Sequence, residues 1–133
     1  MPTIFTKILS GEIPCAKLYE DDRFLSFLDI RPINPGHALV IPRQEVDYIF
    51  DVPDDLLRDM LVVAKPVARA IEQHVPCKRI GLMVAGLEVP HCHIHLVPIH
   101  GVGDLNFGLA SPADPEELQT LAAKIRATLG ETA

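Results

Sequence analysis

Apolar and polar positions alternate along the chain in a way that predicts short strands first and helices later. In residues 16–29, Leu18 and Tyr19, then Phe24, Leu25, Phe27 and Leu28, flank the polar stretch Glu20-Asp21-Asp22-Arg23. That is the pattern of two strands around a turn. Pro32, Pro35 and Gly36 mark a loop that delivers His37 to the head of the apolar run 38–41, which Pro42 closes. A short unbroken apolar run between turn residues predicts a buried strand. Residues 79–85 and 91–98 read as two more strands, joined by the short connection Gly86-Leu87-Glu88-Val89-Pro90.

Helical spacing appears twice. Leu56, Leu57, Met60, Leu61, Ala64, Val67, Ala68 and Ile71 form one stripe on a helix of about five turns, with Asp51 and Pro53 suited to its start. Pro66 removes one backbone donor inside that stripe, which predicts a kink or local break at a cost of ~3 kcal/mol. A second helix is expected over about 115–129. Asp114 is placed to cap it, Pro115 suits its first position, and Glu117 completes a capping-box spacing. Leu118, Leu121, Ala122, Ile125 and Leu129 give its apolar face, and Gly130 its expected stop. Strands that include hairpins, together with two separated helices, imply an α+β fold.

The 133 residues fit one domain, 1–133, with no repeats or linkers. No run approaches the ~18 apolar residues of a membrane span, and the N-terminal residues lack the apolar block of a signal peptide, so a cytoplasmic protein without membrane attachment is expected. A formal net charge of −6, with no cluster of Lys and Arg, argues against nucleic acid as a partner. Cys15, Cys77 and Cys92 are odd in number and widely spaced, which favours free thiols.

Chemistry concentrates in one place. Four of the six histidines lie in the run His91-Cys92-His93-Ile94-His95-Leu96-Val97-Pro98-Ile99-His100. On a strand, His91, His93 and His95 share one face while Cys92, Ile94 and Leu96 point to the other. Like-charged imidazoliums repel at such spacing, so some members stay neutral near pH 7, and a neutral ring nitrogen is a nucleophile. A row of this kind suits covalent catalysis. Metal ligation is the competing reading, with a carboxylate such as Glu88 completing a site.

The run of histidines alternating with apolar residues, His91-Cys92-His93-Ile94-His95-Leu96-Val97, resembles the histidine triad (HIT) superfamily of nucleotide hydrolases and transferases. The resemblance extends through Ile4-Phe5-Thr6-Lys7-Ile8, Gly11-Glu12-Ile13-Pro14, Tyr19-Glu20-Asp21-Asp22, Phe27-Leu28-Asp29-Ile30 and Pro35-Gly36-His37-Ala38-Leu39-Val40-Ile41-Pro42, and is strongest over residues 3–98. It implies an antiparallel sheet of about five strands with one central helix and a C-terminal helix, in a homodimer whose sheet continues across a two-fold axis. It also implies hydrolysis of nucleoside 5′-monophosphate derivatives, phosphoramidates first, at the α-phosphate through a nucleotidyl-histidine on His93. In that scheme His95 bonds the phosphate and leaving group, while His91 and His37 orient the row. No cofactor or metal is implied.

The same resemblance places Asp29 at the ribose hydroxyls and Ile4, Phe5, Ile8, Phe27 and Ile30 around a purine base. Asp29 reads equally as a strand-end turn residue, and each apolar position as core. Gly86 and the amides near Glu88 are the local donors for phosphate, although Gly86 also reads as a plain turn glycine and Glu88 as a solvated carboxylate. Two departures stand out. Thr3, Thr6 and Glu45 occupy positions where some relatives hold a structural zinc, so none is expected. Ala85 replaces a phosphate-contacting asparagine, and the connection after it is short. These departures leave open cleavage of dinucleoside polyphosphates, or a nucleotide- or metal-binding protein without efficient turnover.

Overall fold

A computed structural model describes residues 3–132, with the side chains of 131 and 132 outside the description. Five antiparallel strands, β1 (Ala16–Glu20), β2 (Phe24–Leu28), β3 (Ala38–Pro42), β4 (Arg79–Met83) and β5 (Ile94–Ile99), form one sheet in the order β1-β2-β3-β5-β4. Helix α1 (Ile4–Leu9) precedes the sheet, α2 (Asp54–Glu72) connects β3 to β4, and α3 (Pro115–Thr132) follows β5. This is the expected α+β architecture, with one helix more than the periodicity predicts. None of the helices is long and apolar enough to cross a membrane.

Strand alternation divides the interior in two. Phe24, Leu28, Ala38, Val40, Cys92, Ile94 and Leu96 face α2 and α3, where they pack with Met60, Val67, Ile71, Ala122 and Ile125. Leu25, Phe27, Leu39 and Ile41 face the other way and pack with Phe5 of α1. Buried Ser26 donates to the Leu39 carbonyl at 2.8 Å, which satisfies its hydroxyl inside the sheet.

Local chemistry sets the boundaries. Asp21 Oδ1 accepts from the amides of Arg23 and Phe24, closing the β1–β2 turn. Thr3 Oγ1 accepts from the Phe5 and Thr6 amides while Thr6 Oγ1 accepts from the Thr3 amide, a reciprocal cap that lets a six-residue helix form. Thr3 and Thr6 therefore serve together as the cap of this helix. Asp114 Oδ1 accepts from the Glu116 amide at the start of α3, as the sequence implies.

The local break expected at Pro66 and the stop expected at Gly130 are absent. Helix α2 runs unbroken across Pro66. Val62, whose carbonyl loses its partner there, lies on the exposed face, where water can supply the missing donor. Helix α3 continues through Gly130 instead of stopping there, because that glycine is not in the left-handed conformation that would terminate it. Gly36 does need its conformation. Its φ is +95°, and a Cβ would lie 3.1 Å from Ile71 and Val75 and 3.2 Å from Pro98. Only glycine brings the chain this close to α2 and β5 one residue before His37.

Ile71 is fully buried between the sheet and this turn. Ile71→Ala should lower the unfolding free energy by about 2–5 kcal/mol in urea denaturation, whereas Leu87→Ala, at a position 92% exposed, should change it by less than about 0.5 kcal/mol.

Candidate active site

The imidazoles of His37, His91, His93 and His95 are buried together on the α1 face of the sheet. The alternation predicted for the histidine run holds, since Cys92, Ile94 and Leu96 lie in the opposite cluster. Regular pairing begins only at Ile94, however, so His91 and His93 occupy the extended segment leading into β5. That segment is held by the Cys92 amide, which donates to the Val46 carbonyl at 2.6 Å. Ring centroids are 4.9 Å apart for His93 and His95, and 5.1 Å for His95 and His37. The Phe5 ring meets His91 edge-on at 5.7 Å and His93 at 5.0 Å, and meets Phe27 at 5.8 Å.

Backbone partners assign the tautomers. His37 Nδ1 accepts from the Ile33 amide at 3.0 Å, so its proton sits on Nε2, which donates to His95 Nδ1 at 2.9 Å. His95 in turn carries its proton on Nε2, leaving that N–H to donate to a ligand. The His93 Nδ1–H donates to the His91 carbonyl at 2.7 Å, and its Nε2 retains an uncommitted lone pair. His91 Nε2–H donates to the Pro42 carbonyl at 2.7 Å, anchoring the residue whose own carbonyl orients His93. His91 Nδ1 is buried without a partner among the described residues.

Burial pushes His95 down to about 3, helped by the adjacent His93 and His37, so its ring is neutral near pH 7. Burial also lowers His37, against the opposing pull of Asp29. Asp29 Oδ2 lies 3.6 Å from His37 Nε2, while its Oδ1 accepts from the Arg31 amide in a turn. Asp29 thus has the geometry of a strand-end turn residue, with its second oxygen beside His37.

A cavity of about 90 Å³ opens against His93 and His95, walled by Ala85, Gly86, Leu87, Glu88 and Phe107. Gly86 has φ +75°, and the amides of Gly86, Leu87 and Glu88 make no hydrogen bond among the described residues. Successive free N–H groups in such a turn form a cradle for an anion. No Lys or Arg lines this cavity. A larger hollow of about 280 Å³, lined by Lys65, Arg69 and Thr128, lies between α2 and α3 on the far side of the sheet, away from the imidazoles.

The candidate base-binding residues separate by burial. Phe5 is buried against His91 and His93, Phe27 is buried against Phe5, and Ile8 is half-buried beside them, whereas Ile4 and Ile30 are exposed; none of the five lines the cavity of about 90 Å³. Phe107, absent from the sequence reading, stands against His95 with ring centroids 4.8 Å apart. It belongs to the segment after β5, which is tied back to the Asp29 loop by the Ser111 amide on the Pro32 carbonyl and the Ala113 amide on the Ile30 carbonyl. No periodicity marks that segment; a lone phenylalanine among glycines was its sole signal. His100 is exposed on a turn outside the row. His74, just past α2, is half-buried and bonds Thr128 of α3 at 2.6 Å. The Cys92 thiol is buried and pushed up to about 11 by that burial, which suits packing.

Asp29, His37 and His95 bring three potential metal donors within 4.8 Å of one another. The hydrogen bonds oppose that use. With Nδ1 of His37 accepting from Ile33, Nε2 must be protonated, and a cation there would have to displace the backbone bond or create an imidazolate.

The HIT domain profile matches residues 10–102. An adenosine 5′-monophosphoramidase of Schizosaccharomyces pombe is 38% identical over 132 residues, covering 94% of this chain and 96% of its own. Among solved structures, a Hit-like protein from Bartonella henselae superposes with a TM-score of 0.83 at 30% identity, over 95% of both chains. A zinc-bound histidine triad family protein from Mycobacterium smegmatis gives 0.81 at 30% identity, over 97% of this chain and 94% of its own.

The lowered His95 couples the site to stability. Between pH 6.5 and about 3 the unfolded His95 holds a proton that the folded ring lacks, so stability falls as pH falls through that window. One such proton corresponds to a slope of up to about 1.4 kcal/mol per pH unit. Urea denaturation at pH 7 and pH 5 should show a smaller loss for His95→Gln than for the unaltered protein; equal losses would contradict a neutral buried ring.

Proposed function

The chain belongs to the HIT domain family, and from that membership we propose that it hydrolyses nucleoside 5′-monophosphate derivatives at the α-phosphate, with His93 as the nucleophile. The observation that carries this reading is the state of one ring: His93 commits Nδ1–H to the His91 carbonyl and leaves the Nε2 lone pair free. Its ring also lines the cavity walled by Gly86, Leu87, Glu88 and His95.

In the first displacement Nε2 forms a bond to phosphorus as the bond to the leaving group breaks, and His93 becomes a phosphorylated imidazolium. The His91 carbonyl, already accepting from Nδ1–H, stabilises that positive charge. The His95 Nε2–H and the free amides donate to the phosphoryl oxygens. Water then attacks phosphorus, and His93 departs as neutral imidazole with its original proton still on Nδ1. His37 serves as a positioning residue, since it sets which nitrogen of His95 bears hydrogen. Asp29 Oδ2 is the oxygen left for ribose hydroxyls once Oδ1 is engaged by Arg31. The exposed Ile4 and Ile30, with half-buried Ile8 and buried Phe5 and Phe27, suit an apolar purine face.

Amine-linked monophosphates fit better than dinucleoside polyphosphates. A polyphosphate leaving group adds negative charge to a cavity whose one charged wall residue is Glu88 and which has no cation to neutralise it. The named activity of the S. pombe relative points the same way. A homodimer is also proposed. Strand β4 is an edge of the sheet, Leu82 on it is 48% exposed, and Leu61 and Val62 on α2 are exposed as well. Pairing two β4 edges about a two-fold axis would cover an unpaired ladder and these side chains together.

Protein quenched during turnover of an adenosine phosphoramidate should carry a nucleotidyl group on His93. The variant His93→Ala should lose that adduct and at least about 10³-fold in kcat, whereas steady turnover by it would overturn the assignment. Adenosine phosphoramidate should also exceed a diadenosine polyphosphate in kcat/KM. Light scattering at micromolar concentration should give twice the chain mass, and Leu82→Lys should shift the protein toward monomer; a monomeric unaltered protein would remove the dimer.

A further inference from the structure

We propose that Glu88 is a further catalytic residue, whose carboxylate serves the position on phosphorus opposite His93: first the departing amine, then the attacking water. The inference rests on the hydrolytic reading above. Glu88 lines the same cavity as His93 and His95, and that cavity, at about 90 Å³, is small enough for a single phosphoryl group to bring its substituents within reach of every wall. The remaining walls of this cavity offer no alternative acid or base, and Asp47, the one carboxylate of the adjoining hollow of about 420 Å³ that also reaches His93, does not line it. Ala85, Leu87 and Phe107 are apolar, Gly86 contributes backbone, and His95 has Nδ1 occupied by His37 and only a donor on Nε2.

Displacement at phosphorus is roughly in line, with entering and leaving groups on opposite sides. In the first step His93 enters and the amine leaves opposite it. In the second, His93 leaves and water enters opposite it. Amine and water therefore use the same position in turn, and a carboxylate beside that position meets both. A phosphoramidate nitrogen takes a proton from solvent before its bond to phosphorus breaks. The bond pair stays with nitrogen, and the neutral amine departs while its N–H groups donate to Glu88. The vacated place admits water. As the water oxygen bonds to phosphorus, one of its protons passes to Glu88, the bond from phosphorus to Nε2 breaks, and the pair returns to the ring. Glu88 then releases the proton to solvent. This role also explains an acidic side chain beside a site for an anion: it faces the proton-bearing substituents of phosphorus rather than the charged oxygens, which the amides and His95 hold.

Rapid-quench measurements with an adenosine phosphoramidate of a primary amine, on the unaltered protein and on Glu88→Gln, test this. The side chain is exposed on a loop, so the substitution should leave folding intact, which circular dichroism and urea denaturation check. In Glu88→Gln the decay of the nucleotidyl-His93 adduct should slow by about 10²-fold and the adduct should accumulate. Hydroxylamine, a nucleophile with less need of a base, should restore its breakdown. Decay within twofold of the unaltered rate would overturn the role of Glu88 while leaving His93 as nucleophile. Absence of any adduct in the unaltered protein, together with unimpaired turnover by His93→Ala, would overturn the hydrolytic reading and this inference with it.

Discussion

Each buried imidazole in this site has a single proton to place when neutral, and one backbone group decides where each goes. The Ile33 amide points at His37 Nδ1, so the proton of His37 must lie on Nε2, and the proton of His95 on its own Nε2. Separately, the His91 carbonyl takes the Nδ1–H of His93 and exposes the lone pair of Nε2. The site thereby presents a donor and a lone pair side by side. A change in either backbone partner would exchange those roles without moving a ring.

That arrangement depends on what lies behind it. Neutral imidazoles in a low-dielectric interior destabilise the fold unless bonded, and all four have at least one partner. Their position is enforced from the other face of the sheet, where Cys92, Ile94 and Leu96 are locked among the side chains of α2 and α3. Because side chains alternate, fixing the apolar set fixes the imidazole set. The close approach at Gly36 does the same for His37, since Ile71, Val75 and Pro98 leave the chain only one path into β3.

The strands, α2 and the shared face of the histidines were legible because each rests on a short-range pattern: apolar runs, a helical stripe, strict alternation. Helix α1 was not, since six residues carry less than two turns of periodicity and its stability comes from the Thr3 and Thr6 caps. Pro66 and Gly130 were read as interruptions from local cost alone, which solvent access at Val62 and continued helical backbone at Gly130 override. Phe107 escaped notice because its place against His95 is set by hydrogen bonds between the segment after β5 and the Asp29 loop, a tertiary relation with no mark in the sequence. Asp29 shows the remaining limit. A turn residue and a ligand-facing carboxylate are the same sequence signal, and the structure shows the first in Oδ1 while Oδ2 lies 3.6 Å from His37 Nε2.

The charge of the chain bears on how such a site would treat a phosphate ester. With a formal net charge of −6 and no Lys or Arg on the cavity, long-range attraction contributes nothing to binding an anion. On the proposed reading, the donors left to such an anion carry no net charge: the amides of the Gly86–Glu88 turn, and a His95 that burial keeps neutral. A fixed cation would hold the charged substrate and the doubly charged monophosphate product as well as the transition state, and the part of that favour shared with the ground state gains no rate. Oriented dipoles hold ground-state oxygens weakly and respond as charge gathers on them during displacement. The low His95 pKa follows from burial and from its two histidine neighbours, and it leaves a neutral N–H donor beside the His93 ring.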